Sequence, residues 1–403
     1  MNAVMYGAGN IGRGFIGALL SQAGYEVTFI DVSQPLVDAL NKENCYPLRI
    51  ISGSTYEDME IQNVRAINGN DQSAVAEAIA EADIMATAVG AKILPYIVSN
   101  IAVGLRKRWK SSDAPLDILI CENLMDADKA LAGLIKAELS PSEQAAFEQR
   151  VGLVETSIGR MVPVQTPEMQ DGNPLRICVE RYGFLPVDKD AFKGSIPKIK
   201  NIVPYSPFSF YLKRKLYLHN MSHAVCAYLG IYTGQEHIYE AIADPFIQLI
   251  VREAMSESTS ALSYEYGVPM QEIHLHCEDL IFRFTNKALG DTCARVGGDP
   301  VRKLHETDRL IGAIRLCEKH NINCVGIAIG AAGALHHYLN ESEEIQSRTK
   351  AANALQALSN TDSNSKIGAL ILDFYEFFRR GTNPEQLLRH AEIVRKSNMP
   401  EIV

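Results

Sequence analysis

Two patterns of apolar residues follow one another along the chain. From Asn2 to about Asp31 a short apolar run, a glycine-rich turn, a helical stretch and a second apolar run ending at Ile30 predict one βαβ unit. Ala76 to Ala82 then has helical spacing, while Ile84 to Val89 and Leu116 to Cys121 are continuous apolar runs of buried-strand length. Strands alternating with helices predict an α/β fold with a doubly wound, mainly parallel sheet. Between Asp188 and Pro207 three prolines and several lysines interrupt the pattern, which places a domain boundary near Lys200. Beyond it the β-branched runs largely stop. Phe208 to Leu229, Pro245 to Tyr266 and Lys366 to Arg380 have helical periodicity, so an N-terminal domain of residues 1–200 and a mainly α-helical domain of residues 201–403 are expected.

The turn after the first strand gives the first half its chemistry. Gly7-Ala8-Gly9-Asn10-Ile11-Gly12 is a GxGxxG motif that follows a strand and opens a helix, and Asp31 ends the next strand near the spacing of a ribose-binding acid. Gly7 allows the tight turn, Gly9 admits a pyrophosphate close to the backbone, and Gly12 lets helix and strand touch. This is the fingerprint of a Rossmann dinucleotide site. A carboxylate at Asp31 accepts from a ribose 2′-hydroxyl and repels a 2′-phosphate, so NAD is the expected cofactor, with a flavin as the competing ligand of the fold. Thr87-Ala88-Val89-Gly90 ends a later strand at the same carboxyl edge, where Val89 either lines the cofactor cleft or simply closes the strand.

Composition narrows the partners. With 39 Lys+Arg against 48 Asp+Glu the net charge is −9, which gives no reason to expect nucleic acid. No apolar run reaches a membrane-spanning length, and the first residues do not read as a signal peptide. The eight cysteines are scattered without paired spacing, as expected of reduced thiols in a cytoplasmic protein. A small molecule is therefore the expected partner, with a monomer as the default and a dimer left open.

In the second half, Lys215, Asn220 and His223 lie on one helical stretch. At 100° per residue Asn220 falls about 140° and His223 about 80° from Lys215, so all three can face one cleft. By residue type alone, a helical lysine is ordinarily a solvated face and a lone histidine a packed one. His274-Leu275-His276-Cys277 and His336-His337 lack a second ligand cluster at a recognised spacing, so no metal is expected.

KLYLHNMSH, residues 215–223, resembles the K-x4-N-x2-H signature of the polyol-specific long-chain dehydrogenases, the mannitol dehydrogenase family. The resemblance begins at GAGNIGRGFIG, continues through Cys121-Glu122-Asn123 and Gly159 to Pro163, and extends to Ala294 to Ile311. It implies metal-independent hydride transfer between NAD and a polyol or polyol phosphate, with mannitol 1-phosphate and fructose 6-phosphate as the expected pair. On that resemblance Lys215 is the general acid/base, Asn123 and Asn220 hydrogen-bond the reacting oxygen, and His223 orients the substrate.

A neutral amine requires that burial or a neighbouring cation, with Lys213 and Arg214 as candidates, lower the Lys215 pKa. For a phosphate the candidates are Arg283, Arg295, Arg302 and Lys303, each with a salt bridge as its alternative role. Arg160 is a further substrate candidate, although Gly159 stands where the family pattern calls for an acid. A hexuronate reductase or a non-phosphorylated polyol dehydrogenase of the same family is the alternative activity, and a non-catalytic NAD-binding sensor the alternative of a different class.

Overall fold

The computed structural model describes residues 1–53, 55–124, 126–340 and 347–397. The chain divides into two units, Met1–Tyr211 and Leu212–Val403.

In the first unit, β1 (Asn2–Tyr6) leads into a π-helical turn, Gly12–Ile16, continued by α1 (Gly17–Gln22). There follow β2 (Glu26–Asp31), α2 (Gln34–Glu43), β3 (Cys45–Ser52), β4 (Thr55–Gln62), β5 (Val64–Asn68), α3 (Gln72–Glu81) and β6 (Ile84–Thr87). Next come α4 (Leu94–Ser111), β7 (Leu116–Ile120), α5 (Ala127–Ala137), α6 (Pro141–Arg150) and β8 (Val151–Glu155). The main sheet has six parallel strands in the order β5-β2-β1-β6-β7-β8. Successive residues of β1 enter different apolar layers. Ala3 and Met5 pack with Phe15, Ile16 and Phe29, whereas Val4 and Tyr6 pack with Ile79, Ile97 and Ile101. Burial on both faces explains why these strands read as continuous apolar runs.

The expected α/β architecture is present, and the runs at Ile84 and Leu116 are its strands. Periodicity did not reveal the antiparallel β3–β4 hairpin. With β9 (Ile177–Glu180), after the short α7 (Pro167–Gln170), it forms a separate three-stranded sheet. The solvent side of β4 is Thr55-Tyr56-Glu57-Asp58, exposed throughout, so no alternation marks it. The proline-rich stretch also holds more structure than a crossover: β10 (Leu185–Asp188) pairs in parallel with β11 (Ile202–Tyr205).

The division between units falls within α8 (Ser209–Arg214). The second unit continues through a π-helical turn, Lys215–Asn220, into α9 (Met221–Thr233), then α10 (Ile238–Ala243), α11 (Pro245–Tyr266) and α12 (Met270–Phe284). A 3-10 turn, Lys287–Leu289, precedes α13 (Cys293–Gly297), α14 (Pro300–Lys303), α15 (Ile311–Lys319), α16 (Val325–Asn340), α17 (Arg348–Ser359), α18 (Lys366–Arg379) and α19 (Pro384–Ser397). No strand occurs among its described residues, as the end of the β-branched runs predicts. Its core is α16, buried at every residue from Val325 to Leu335. Gly330 lets it approach α9, since a Cβ there would stand 2.4 Å from Val225. The start of so apolar a helix needs acceptors for its free N–H groups. Glu257 of α11 supplies them, accepting from Gly326 at 2.8 Å and Ile327 at 3.0 Å. No described helix is long and apolar enough to cross a membrane.

Candidate active site

In the first unit the glycine turn is held by close backbone contacts. Gly7 has φ +100° and donates to the Ile30 carbonyl at 2.8 Å. A Cβ on Gly7 would lie 2.5 Å from the Ala88 carbonyl oxygen, and one on Gly12 only 1.9 Å from that of Gly7. Gly9 differs, because nothing stands within 4 Å of a Cβ built on it. Gly7 and Gly12 are thus required by the fold itself, and Gly9 leaves open space where a pyrophosphate could approach the exposed Gly9-Asn10 backbone. Gly12→Ala is expected to destabilise the protein by roughly 1–3 kcal/mol and to abolish NADH binding. Gly9→Ala should leave thermal unfolding unchanged and weaken NADH alone. Melting curves with NADH fluorescence titrations check both, and equal melting losses would contradict the distinction.

Asp31 closes β2 with both carboxylate oxygens on backbone: it accepts from Ala8 N at 2.9 Å and Ser33 N at 3.0 Å. The acid expected to face a ribose therefore also holds the glycine turn, and Ile11 packs against the apolar core of this unit. Two residues that pattern reading did not single out complete this cradle. Arg13 is buried and donates to the Ala8 carbonyl at 2.7 Å and the Leu175 carbonyl at 2.6 Å. Glu122, also buried, accepts from Val89 N at 2.9 Å and Gly90 N at 2.7 Å, so it clamps the end of β6. The one available signal was a charged residue at a position the βαβ pattern requires to be inside. Asn123, next to Glu122, is exposed at the carboxyl edge of the same sheet.

Arg160 makes hydrogen bonds to backbone within the first unit. Its guanidinium donates to the carbonyls of Gly14 and Tyr182 and lies 4.9 Å from the centre of the Phe15 ring. Those bonds tie Arg160 to the π-helical turn that follows the glycine motif and to the loop before β10.

In the second unit the decisive local feature is the π turn. Its i to i+5 hydrogen bonding puts more residues into the turn than an α-helix holds. Asn220 therefore lies closer to the face of Lys215 than α-helical spacing predicts. The packing around Tyr217 holds the distortion. The Ser258 hydroxyl donates to the Tyr217 carbonyl at 2.6 Å, Lys213 Nζ donates to the phenol oxygen at 3.0 Å, and that phenol donates to the Thr307 carbonyl at 3.1 Å. A side chain bonded to a helical carbonyl is a recognised cause of such a break.

Lys215 is half-buried, and desolvation, with Arg309 second, lowers its pKa to about 8. The neighbouring cation is thus Arg309, where Lys213 or Arg214 was expected; Lys213 is engaged with Tyr217. Arg309 was not foreseen. It is anchored by Asp308, which accepts from its Nε at 2.7 Å.

His223 stacks on Phe284 with ring centres 4.8 Å apart, and its Nε2 lies 3.5 Å from Asp291. Burial first, then Arg295, Arg283, Arg309 and Lys303, press its pKa down to about 3, so the ring is neutral. His219 is buried beside it, 6.3 Å away between ring centres, and its pKa is likewise far below the ordinary value through burial.

The phosphate candidates fall into two kinds. Arg283 pairs with Asp279, Arg295 with Asp291, Arg302 with Asp299 and Arg309 with Asp308. Lys303 is 3% exposed and its ammonium has no hydrogen-bond or ion-pair partner among the described residues; burial and then Arg309 lower its pKa to about 8. Four arginines are thus each matched to an aspartate, whereas neither Lys215 nor Lys303 has an ion-pair partner among the described residues and both feel the charge of Arg309.

Two family models match the chain: the mannitol dehydrogenase Rossmann domain over residues 1–201 and the mannitol dehydrogenase C-terminal domain over residues 208–381. The chain is 39% identical over 353 residues to a mannitol-1-phosphate 5-dehydrogenase of Brevibacillus brevis, covering 87% of this chain and 90% of the relative. It is 38% identical to one of Shouchella clausii over 86% and 92% of the two chains. Among solved structures, a Pseudomonas fluorescens mannitol 2-dehydrogenase ternary complex with NAD and D-mannitol superposes with a TM-score of 0.74 at 15% identity, covering 97% of this chain and 94% of that one. A D-sorbitol dehydrogenase in substrate-free form gives a TM-score of 0.78 at 16% identity, covering 94% and 93%.

Proposed function

This chain belongs to the mannitol dehydrogenase family, and on that premise we propose that it is an NAD-dependent polyol-phosphate dehydrogenase interconverting D-mannitol 1-phosphate and D-fructose 6-phosphate. The observation that supports the phosphate in this reading is Lys303, a buried ammonium near Arg309 with no ion-pair partner among the described residues. A phosphate monoester brings close to two negative charges at neutral pH, the complement of that unpaired charge.

NAD, held by Gly7 to Gly12, Asp31 and Val89, supplies the hydride acceptor when bound. The rest falls to the chain. Oxidation of an alcohol carbon releases the hydroxyl proton with the hydride, and the neutral Lys215 amine takes that proton. In the reverse direction the Lys215 ammonium returns it to the forming alkoxide. Asn220 and Asn123 donate amide hydrogens to the reacting oxygen, and His223 orients the neighbouring hydroxyl. Proton transfer at a lysine needs no metal-bound water, so a chelator should leave the rate unchanged.

The deciding assay compares fructose 6-phosphate, fructose and fructuronate at equal concentrations, following NADH absorbance with and without chelator. A strong preference for fructose 6-phosphate, indifferent to chelator, is expected; a preference for fructuronate would replace the phosphate pocket by a carboxylate site. The lysine also sets the pH dependence. With a pKa near 8, kcat/KM for polyol oxidation should rise with pH to a plateau above about 8, while ketose reduction falls over the same range. Parallel profiles for the two directions would exclude Lys215 as the group responsible.

A further inference from the structure

His223 is fixed in plane by its stack on Phe284, at 4.8 Å and 15°. In that plane Nε2 is buried and has no hydrogen-bond partner among the described residues; the carboxylate facing it is Asp291, with Oδ2 at 3.5 Å. Asp291 cannot readily turn away. Its other oxygen is paired with Arg295, and its own backbone carbonyl accepts from Ile238 N at 2.9 Å. The next residue, Thr292, bridges His237 and caps α13.

We infer that Asp291 is a positioning residue for His223, holding the ring with Nε2–H toward the carboxylate and presenting the unprotonated Nδ1 as a hydrogen-bond acceptor. A lone pair at Nε2 would face a carboxylate oxygen and be repelled, whereas an N–H there is attracted, so the partner of one ring nitrogen sets the state of the other. Because burial among cations keeps the imidazole neutral, one proton is shared between two nitrogens and the second must be an acceptor. His223 then recognises a hydroxyl that donates, the group every polyol carbon offers, and discriminates against a carbonyl at that position. This inference rests on the reading of His223 as the substrate-orienting group.

The direct test is nitrogen-15 NMR of the full-length, histidine-labelled protein with NADH bound, with the His223 signals identified by their loss in His223→Gln. A pyridine-type Nδ1 with a protonated Nε2 is expected, and the opposite tautomer overturns the inference without any variant at Asp291. Kinetics give the second arm. Asp291→Asn should lower kcat/KM for fructose 6-phosphate on the order of 10- to 100-fold with the NADH affinity unchanged. In a His223→Gln background the same change should add less than about twofold, since coupled residues are not additive. An equal loss in both backgrounds would mean that Asp291 acts through Arg295 or the fold, and would overturn the inference. If the parent protein reduces no ketose at all, the proposed function fails, and the tautomer measurement still decides this point.

Discussion

Lys215→Ala is expected to lower kcat in both directions by roughly a thousandfold, within the range that a positioned general acid/base contributes, while NADH binds with its parental affinity. The reasoning is local. The glycine turn, Asp31 and the Val89-Gly90 backbone, the proposed dinucleotide site, make their bonds within the first unit, and none of those bonds involves Lys215. Removing the lysine also relieves its electrostatic interaction with Arg309, so stability should not fall for reasons of charge. Lys215→Arg makes the sharper control. It keeps a cation, yet a guanidinium stays protonated throughout the working range, so the variant should be as inactive in oxidation as alanine and should lose the pH step near 8. Turnover within tenfold of the parent in either variant would remove Lys215 from the chemistry.

How much of this was legible beforehand depends on whether a feature is periodic or local. The βαβ unit, the glycine motif with Asp31, and the change from strands to helices all follow from repeated spacing, and spacing survives translation into structure. The β3–β4 hairpin did not, because one of its strands faces water along most of its length and has no apolar alternation to read. The π turn escaped for a different reason. Lys215 to Asn220 has the composition of an ordinary helix, and the break comes from Ser258 and Thr307, distant in sequence, bonding to Tyr217. The same holds for Arg309, whose importance arises only when folding places it beside Lys215 and Lys303. Arg160 is the converse, a charged residue in a suggestive motif that folding assigns to two backbone carbonyls.

Lys303→Met should separate phosphate recognition from catalysis. A hydrogen bond between charged groups contributes about 1.5–3 kcal/mol, so kcat/KM for fructose 6-phosphate is expected to fall roughly 10- to 150-fold. Fructose, which has no phosphate to lose, should be reduced with kcat/KM within about twofold of the parent, and the preference between the two ketoses would largely disappear. Stability should move the other way. Lys303 is buried without a carboxylate partner, and its folded pKa of about 8 is below the ordinary lysine value, so the folded state is penalised wherever the ammonium is charged. Methionine fills similar space without that charge, and thermal unfolding should shift upward by roughly a few degrees. The sign of the linkage gives an internal check. The parent regains stability as pH rises from about 8 toward the unfolded lysine value, so the advantage of the variant is greatest below pH 8 and shrinks above it. A variant that loses fructose and fructose 6-phosphate activity alike, or that melts earlier than the parent, would show that Lys303 is part of the scaffold and that the phosphate is held elsewhere.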